Sequence, residues 1–293
     1  MIANHRANQI GSLWMIASMG LFAIEDAFIK AAAKALPIGE ILIVFGAGGT
    51  VAFAGLALIA RQPLFVPDAL SRPMRIRVVF EVIGRLFYVL ALWLIPLSAA
   101  TVILQATPLV VVAGAAVIFG EQVGWRRWAA ILIGLTGVII IIQPGADGFS
   151  VLSLLAVFGM LGFAGRDLAS RAAPASLGAA VLGFYGFLAI IIAGLVCTLL
   201  QEEAFQRPDQ NTSMALLGAV LAGVGAYACL MKAMRTGEVS AVTPFRYTRL
   251  LFGIALGIAV FDEQFTLPML VGSGLIVLSG LFILQRSKQA AVL

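Results

Sequence analysis

The residues in this chain whose types and spacing suit chemistry are ionisable side chains set inside long apolar runs. Glu25, Asp26 and Lys30 lie in the first run, Glu81, Arg85 and Tyr88 in the third, and Arg246, Tyr247 and Arg249 in the ninth. A charge within hydrocarbon is expensive, so such a residue either lines a functional cavity or belongs to a paired structural site. Asp26 and Lys30 stand four residues apart and can pair on one helix face, which leaves Glu25 in need of a partner or a proton. Glu81, Arg85 and Tyr88 fall at i, i+4 and i+7, one polar stripe on an apolar helix. Glu ahead of Arg is the favoured order for an ion pair, so the stripe either pins its helix or lines a substrate path. Arg246 and Arg249 share a face and repel each other. They ask for an anion, either a substrate carboxylate, whose two oxygens the guanidinium fork matches, or an Asp or Glu from another helix. Snorkelling toward headgroups is the third option. Gln105, Tyr185 and Tyr227 are polar groups in mid-run that either bond between helices or touch substrate.

Gly-x-Ser-x-Gly, a Walker loop, His-Glu-x-x-His and the His/Cys spacing of metal sites are all missing from the sequence. The expectation is therefore no catalytic residue, no metal and no cofactor. The Gly46–Gly49 cluster lies inside an apolar run with no strand before it and is no dinucleotide loop.

The elements that must position these residues follow from composition. The 293 residues are 61% hydrophobic and 11% charged, with mean hydropathy +1.06; soluble domains carry about 25% charged residues. Apolar runs of about 20 residues recur from end to end, each long enough to cross a hydrocarbon layer of about 30 Å as a helix. The alternating polarity of a membrane β-barrel is absent. Ten spans are predicted, over 11–33, 38–60, 75–94, 97–119, 127–143, 150–169, 177–200, 213–233, 239–261 and 267–285. Cys197 and Cys229 sit within spans and imply no disulfide framework. His5 and Arg6 precede the first run as in a secretory signal, but the run continues into Glu25, Asp26 and Lys30 without a cleavage site, so the first helix is expected to be retained.

Lys and Arg placement sets the orientation. With the N-terminus inside, 13 of the 19 basic residues fall on the inner side, 2 (Lys34 and Arg207) fall outside, and 4 lie within spans. Both termini are expected to be cytoplasmic, with Lys232 and Arg235 as inner anchors. The net charge of +5 then reflects topology and contact with anionic lipid, with no sign of nucleic-acid binding.

A long-period repeat organises the whole chain. SAATVILQATPLVVVAGAAVIFGEQ (98–122) and SAVTPFRYTRLLFGIALGIAVFDEQ (240–264) open on Ser-Ala, share a Thr at 101 and 243, and close on Phe-x-Glu-Gln. The halves are expected at 1–147 and 148–293. Five spans per half is odd, so the second half enters the membrane from the opposite side. The predicted fold is an all-α membrane protein of ten transmembrane helices arranged as two inverted five-helix repeats. Inverted repeats recur in secondary transporters, with the substrate site near the midplane between them. The expected cavity is lined by spans 1, 3, 8 and 9 with 4 and 6 nearby, while spans 5 and 10 face lipid. Small residues at Gly218, Ala222, Gly225, Ala226 and Cys229, and at Gly253 and Gly257, read as packing and gating faces.

Leu92–Pro96–Ser98–Ala99, then Pro108, Phe119–Gly120–Glu121, Trp128 and Gly137 resemble the EamA-type repeat of the drug/metabolite transporter superfamily, and Ala233 through Gly280 is similar. The second copy departs with Asp262 in place of Gly120 and Leu250 in place of Pro108, which implies that the two ends need not gate alike. The resemblance implies an exporter of small metabolites in the bacterial inner membrane and is nearest to the exporters of amino acids, aromatic ones in particular; monomer and homodimer both fit the sequence. Two other classes fit the sequence less well. An integral-membrane enzyme acting on lipid or a lipid-linked substrate lacks an acid, base or metal cluster. A channel lacks a filter and has no use for an inverted repeat.

Overall fold

The computed structural model describes residues 2–120, 124–142, 151–174, 176–201, 204–236 and 243–290. Glu121 and Gln122 of the repeat motif, the expected join at 147/148 and the start of the ninth span at 239–242 lie outside the described residues. The helices are α1 (Ile2–Ala32), α2 (Ile38–Ile59), α3 (Arg72–Leu94), α4 (Leu97–Leu104), α5 (Thr107–Phe119), α6 (Trp125–Ile142), α7 (Ser153–Arg171), α8 (Ala179–Gln201), α9 (Gln210–Thr236), α10 (Thr248–Phe261) and α11 (Leu267–Ala290). Two 3₁₀ turns, Pro67–Leu70 and Thr243–Tyr247, precede α3 and α10. The fourth span is thus α4 with α5, and the ninth is a 3₁₀ turn with α10.

The packing has the symmetry an inverted repeat requires. The first helix of one copy lies along the third helix of the other, twice: α1 on α9 and α7 on α3. The second, fourth and fifth spans each pack on their own counterparts: α2 on α8, α4 on α10 and α6 on α11. Apolar attraction between helices vanishes in lipid, so close backbone approach must hold them. Glycines meet across three of these seams, Gly39 against Gly194, Gly84 against Gly162 and Gly137 against Gly272, each with no room for a Cβ. The small face of α9 receives α1 in the same way, with Phe28 on Gly218 and Phe45 of α2 on Gly223. α6 and α11, the fifth and tenth spans, turn large apolar residues such as Leu132, Ile139, Leu270 and Leu278 outward, as expected of lipid-facing helices.

Both the fourth and the ninth spans break at the same repeat position, Gln105 in one and Tyr247 in the other. In the first copy Pro108 cannot donate the backbone bond that would continue the helix, and Thr107 Oγ1 donates instead to Leu104 O at 2.5 Å. In the second copy Thr248 Oγ1 donates to Phe245 O at 2.7 Å. The two breaks touch: Gln105 Nε2 donates to Arg246 O at 3.1 Å. Just beyond, Gly253 of α10 seats on Thr101 of α4. Gly120 and Asp262, the repeat mates that differ in type, end their helices in the same left-handed conformation, φ 66° and 53°. Asp is among the few non-glycine residues that enter it readily, so this departure in sequence leaves the turn unchanged.

Five segments are individually long and apolar enough to cross a membrane: 7–32, 38–59, 97–119, 179–200 and 210–233. α3 and α7 are not among them, and their charged side chains build the site below.

Candidate functional site

The charged side chains of α1, α3, α7 and α10 meet along the seam between the copies in three tiers. In the middle tier Asp26 is fully buried. Its Oδ2 accepts from Arg249 Nη2 at 2.6 Å and from Tyr88 OH at 2.9 Å. The Arg249 guanidinium lies over the Phe22 ring at 5.1 Å. Glu25, one residue back and 1% exposed, accepts from Arg85 Nη1 at 2.8 Å through Oε1. Arg85 is flanked by the rings of Phe45 and Phe163, at 5.2 and 5.9 Å. Glu25 Oε2, Asp26 Oδ1 and the Nε atoms of Arg85 and Arg249 are buried without a hydrogen-bond partner among the described residues.

One turn toward the start of α3, Glu81 joins two arginines. Its Oε1 is 3.3 Å from Arg166 Nη1 and its Oε2 is 3.7 Å from Arg77 Nη2. Arg77 Nε donates to Ser170 Oγ at 2.9 Å. Arg166 donates to Asp167 Oδ1 from Nε and Nη2, at 3.0 and 2.9 Å, and lies 4.8 Å over the Phe163 ring. Asp167 Oδ2 faces Arg246 Nη2 at 3.9 Å.

At the opposite end Glu263 closes the seam. Its Oε1 accepts from Leu97 N at 2.6 Å, and its Oε2 accepts from Ser98 N at 2.9 Å and Ser98 Oγ at 2.8 Å. Lys30 Nζ donates to Leu92 O and Ile95 O at 2.8 and 2.7 Å, 3.9 Å from Glu263 Oε1. An anion on the first amides of α4 and a cation on the last carbonyls of α3 both suit the helix dipoles. Together they tie α1 and the end of α10 to the α3–α4 turn.

Two pairings expected from local spacing do not form. Asp26 bonds Arg249 and Tyr88 in place of Lys30, and Arg85 bonds Glu25 in place of Glu81. An i,i+4 pair is worth only about 0.3–0.5 kcal/mol, whereas Lys30 at the α3 terminus satisfies two carbonyls that would otherwise lack partners. Arg249 finds its anion in the protein, as does Arg85. Gln105 makes an interhelical bond, and Tyr227, on α9, packs edge-on to Phe53 at 5.1 Å beside the second tier. The structure brings Glu25, Asp26, Glu81, Arg85, Tyr88, Gln105, Tyr227, Arg246 and Arg249 to one seam, while the Tyr247 side chain turns away to Gly280 of α11. Tyr185 stands apart, donating to Leu64 O at 3.1 Å within a cluster of Met74, Leu177 and Val181. A cleft of about 520 Å³ between the α1–α2 turn, Trp93 and Phe205 lies at the Lys30 end, and none of these candidates lines it.

The sequence alone did not single out Arg77, Arg166, Asp167 or Glu263 as site residues; Arg77 and Arg166 counted only among the 13 inner basic residues. The signal was there. FAIEDAFIKAA (22–32) and FAGRDLASRAA (163–173) are one motif at a spacing of 141. Phe22 matches Phe163 and Asp26 matches Asp167, and in each copy the Phe carries an arginine that bonds the Asp. Among the described residues no three His, Cys, Asp or Glu side chains are grouped to hold a metal ion.

Inverted five-helix repeats, two broken helices in contact at their centre and a charged seam between them are a layout that recurs among membrane transporters. The sequence pattern of the EamA-like transporter family matches residues 9–143 and again 151–285. The chain belongs to this family, whose members carry small metabolites across membranes. It is similar to a riboflavin transporter of Vibrio cholerae, 28% identical with 94% of this chain and 93% of the relative covered. It is also similar to an S-adenosylmethionine uptake transporter of Rickettsia prowazekii, 23% identical with 96% and 94% covered. A third relative is the pseudopaline exporter CntI of Pseudomonas aeruginosa, 26% identical with 95% and 97% covered. A solved crystal structure at 21% identity, covering 94% of this chain and 96% of its own, has a TM-score of 0.64 and the same fold. These relatives are named as transporters, which gives the membrane-enzyme reading no support. None of the three is named for aromatic amino acids, so the narrower resemblance drawn from the sequence is not what the comparisons bring out.

Proposed function

We propose that the protein exports a small carboxylate-bearing metabolite, an amino acid or a compound built on one, across the bacterial inner membrane by alternating access, with both termini in the cytoplasm. The observation that carries this reading is the charged seam. Five arginines, at 77, 85, 166, 246 and 249, meet four carboxylates, at 25, 26, 81 and 167, and aromatic rings interleave with them. The arginine forks of such a site suit a ligand that brings a carboxylate. The rings of Tyr88, Phe163 and Tyr227 suit an apolar or aromatic remainder. S-adenosylmethionine, the substrate in one relative's name, is built on an amino acid. The two copies divide near residue 147, and rocking one against the other opens the seam to each side in turn. With the positive-inside orientation, the Glu263 tier is the outer closure and the Arg246 tier faces the cytoplasm.

The test is flux in proteoliposomes containing the purified chain, with labelled phenylalanine, leucine, S-adenosylmethionine and riboflavin in parallel. Saturable movement of an amino acid or S-adenosylmethionine supports the reading. Saturable movement of riboflavin alone overturns the substrate class.

A further inference from the structure

Asp26 and Asp167 are the same residue of the two copies, yet their carboxylates are differently engaged. Asp26 is sealed, with Arg249 and Tyr88 both on Oδ2. The Asp167 side chain is 25% exposed, and its Oδ2 stands 3.9 Å from Arg246 Nη2, beyond hydrogen-bond length. The Arg246 side chain is 36% exposed, the most open of the seam's five arginines. Arg85 and Arg249 hold carboxylates at 2.8 and 2.6 Å, and Arg166 is taken up by Asp167 Oδ1 and Glu81. Glu81 lies between two arginines and is 4% exposed. Within the seam, then, one cation and one anion face each other at 3.9 Å, both are partly exposed, and neither Arg246 Nη2 nor Asp167 Oδ2 has a hydrogen-bond partner among the described residues.

The geometry points to a zwitterion subsite at this gap. Arg246 takes the substrate's carboxylate through its fork, and Asp167 Oδ2 takes the ammonium group of the same molecule. The 3.9 Å contact is too short to hold both groups between its partners, so the two side chains swing apart and each takes one group of the ligand in place of the other, which leaves neither of them unpaired. The protein holds both ends in place. Arg166 fixes Asp167 through Oδ1 and leaves Oδ2 forward. Gln105 Nε2 fixes the main chain of Arg246 at the break in the ninth span. Arg249, three residues on, contributes no head-group contact because Asp26 occupies it. This subsite rests on the amino-acid reading above and deepens it, naming the head group that is recognised and the two residues that recognise it.

The experiment uses the full chain in proteoliposomes with labelled L-phenylalanine, competed by phenylalaninamide, which lacks the carboxylate, and by N-acetylphenylalanine, which lacks the ammonium. The wild type is expected to prefer phenylalanine to both by tenfold or more. Arg246→Gln should raise the KM for phenylalanine roughly ten- to a hundredfold and abolish the preference over the amide while keeping that over the N-acetyl compound. Asp167→Asn should do the reverse. Arg246→Lys, which keeps the charge and loses the fork, should recover part of the affinity and serves as the readout if Arg246→Gln does not fold. The assignment is overturned if the wild type moves phenylalanine but the variants lose affinity for all three compounds equally, or if Arg246→Lys and Arg246→Gln both leave KM and discrimination unchanged. If the wild type moves no amino acid and no S-adenosylmethionine, the broader reading has failed first and the subsite falls with it.

Discussion

Asp26 and Asp167 occupy one position in two copies of a single motif, and each meets an arginine of the ninth span. Arg249 holds Asp26 of the first copy, so that bond crosses between the repeats. Arg246 faces Asp167 within the second copy. The first bond is short, buried and supported by Tyr88; the second is long and open. The difference teaches how duplication divides labour: one aspartate has become a strut between the halves, and its mate is free to meet a ligand. Arginine stands at 246 and 249, while 104 and 107 of the first copy are Leu and Thr, so only one of the two broken spans carries cations, and the charged site is single even though the scaffold is doubled.

The sharpest way to break this comparison is to neutralise each aspartate in turn. Asp26→Asn strands the buried Arg249 guanidinium and should cost about 3–5 kcal/mol of stability, read as a large fall in thermal unfolding temperature in detergent. Asp167→Asn keeps an amide oxygen to accept from Arg166 within a partly exposed network and should cost less, about 0–1 kcal/mol. Equal losses for the two would abolish the distinction. Asp26→Asn combined with Arg249→Gln should regain much of the loss, since no charge is then left unpaired.

Tyr88→Phe removes a hydrogen bond to an ionised carboxylate and should cost about 1.5–3 kcal/mol, with the same unfolding assay as the check. Glu263→Gln weakens the anionic cap on α4 and should cost about 1–2 kcal/mol. It should also admit water from the Lys30 end. A cysteine at Thr101, a turn below Ser98 and fully buried, should react with an aqueous thiol reagent only when Glu263 is replaced, in a background where Cys197 and Cys229 are alanine. The smallest effect belongs to Tyr247→Phe. The Tyr247 hydroxyl is buried against Gly280 with no partner among the described residues, so its removal should leave stability unchanged or raise it by up to about 1 kcal/mol. A loss as large as that for Tyr88→Phe would show that the hydroxyl is bonded.

The scaffold was readable because membrane spans are written in long apolar runs. The structure's helices begin and end within a few residues of the expected spans, apart from longer tails at α1 and α11 that project past them. The pairing of charges was less readable, for a physical reason. Spacing along one helix reveals only neighbours at i+3 and i+4, whose attraction is weak. The choice made by Asp26, Glu25 and Lys30 is set by long-range partners and by unsatisfied backbone groups at the α3–α4 turn. Pro108 marks the break in the fourth span, although 97–119 reads in the sequence as one uninterrupted apolar run. The matching break at Tyr247 carries no proline at the equivalent place and became visible only in the backbone. Arg166 and Asp167 were hidden by their position near a span end, where a charge reads as a loop residue unless the 22–32 and 163–173 segments are set side by side.

The contrast between the sealed and the open aspartate is tested most directly on the unaltered protein. Treatment of the chain in detergent with a water-soluble carbodiimide and an amine nucleophile, followed by peptide mass mapping, reads the aqueous reach of every carboxylate at once. Asp167 should be modified while Asp26 and Glu25 stay protected, and a transported amino acid should slow the reaction at Asp167 alone. Modification of Asp26 as fast as Asp167, or protection of both, would contradict the account.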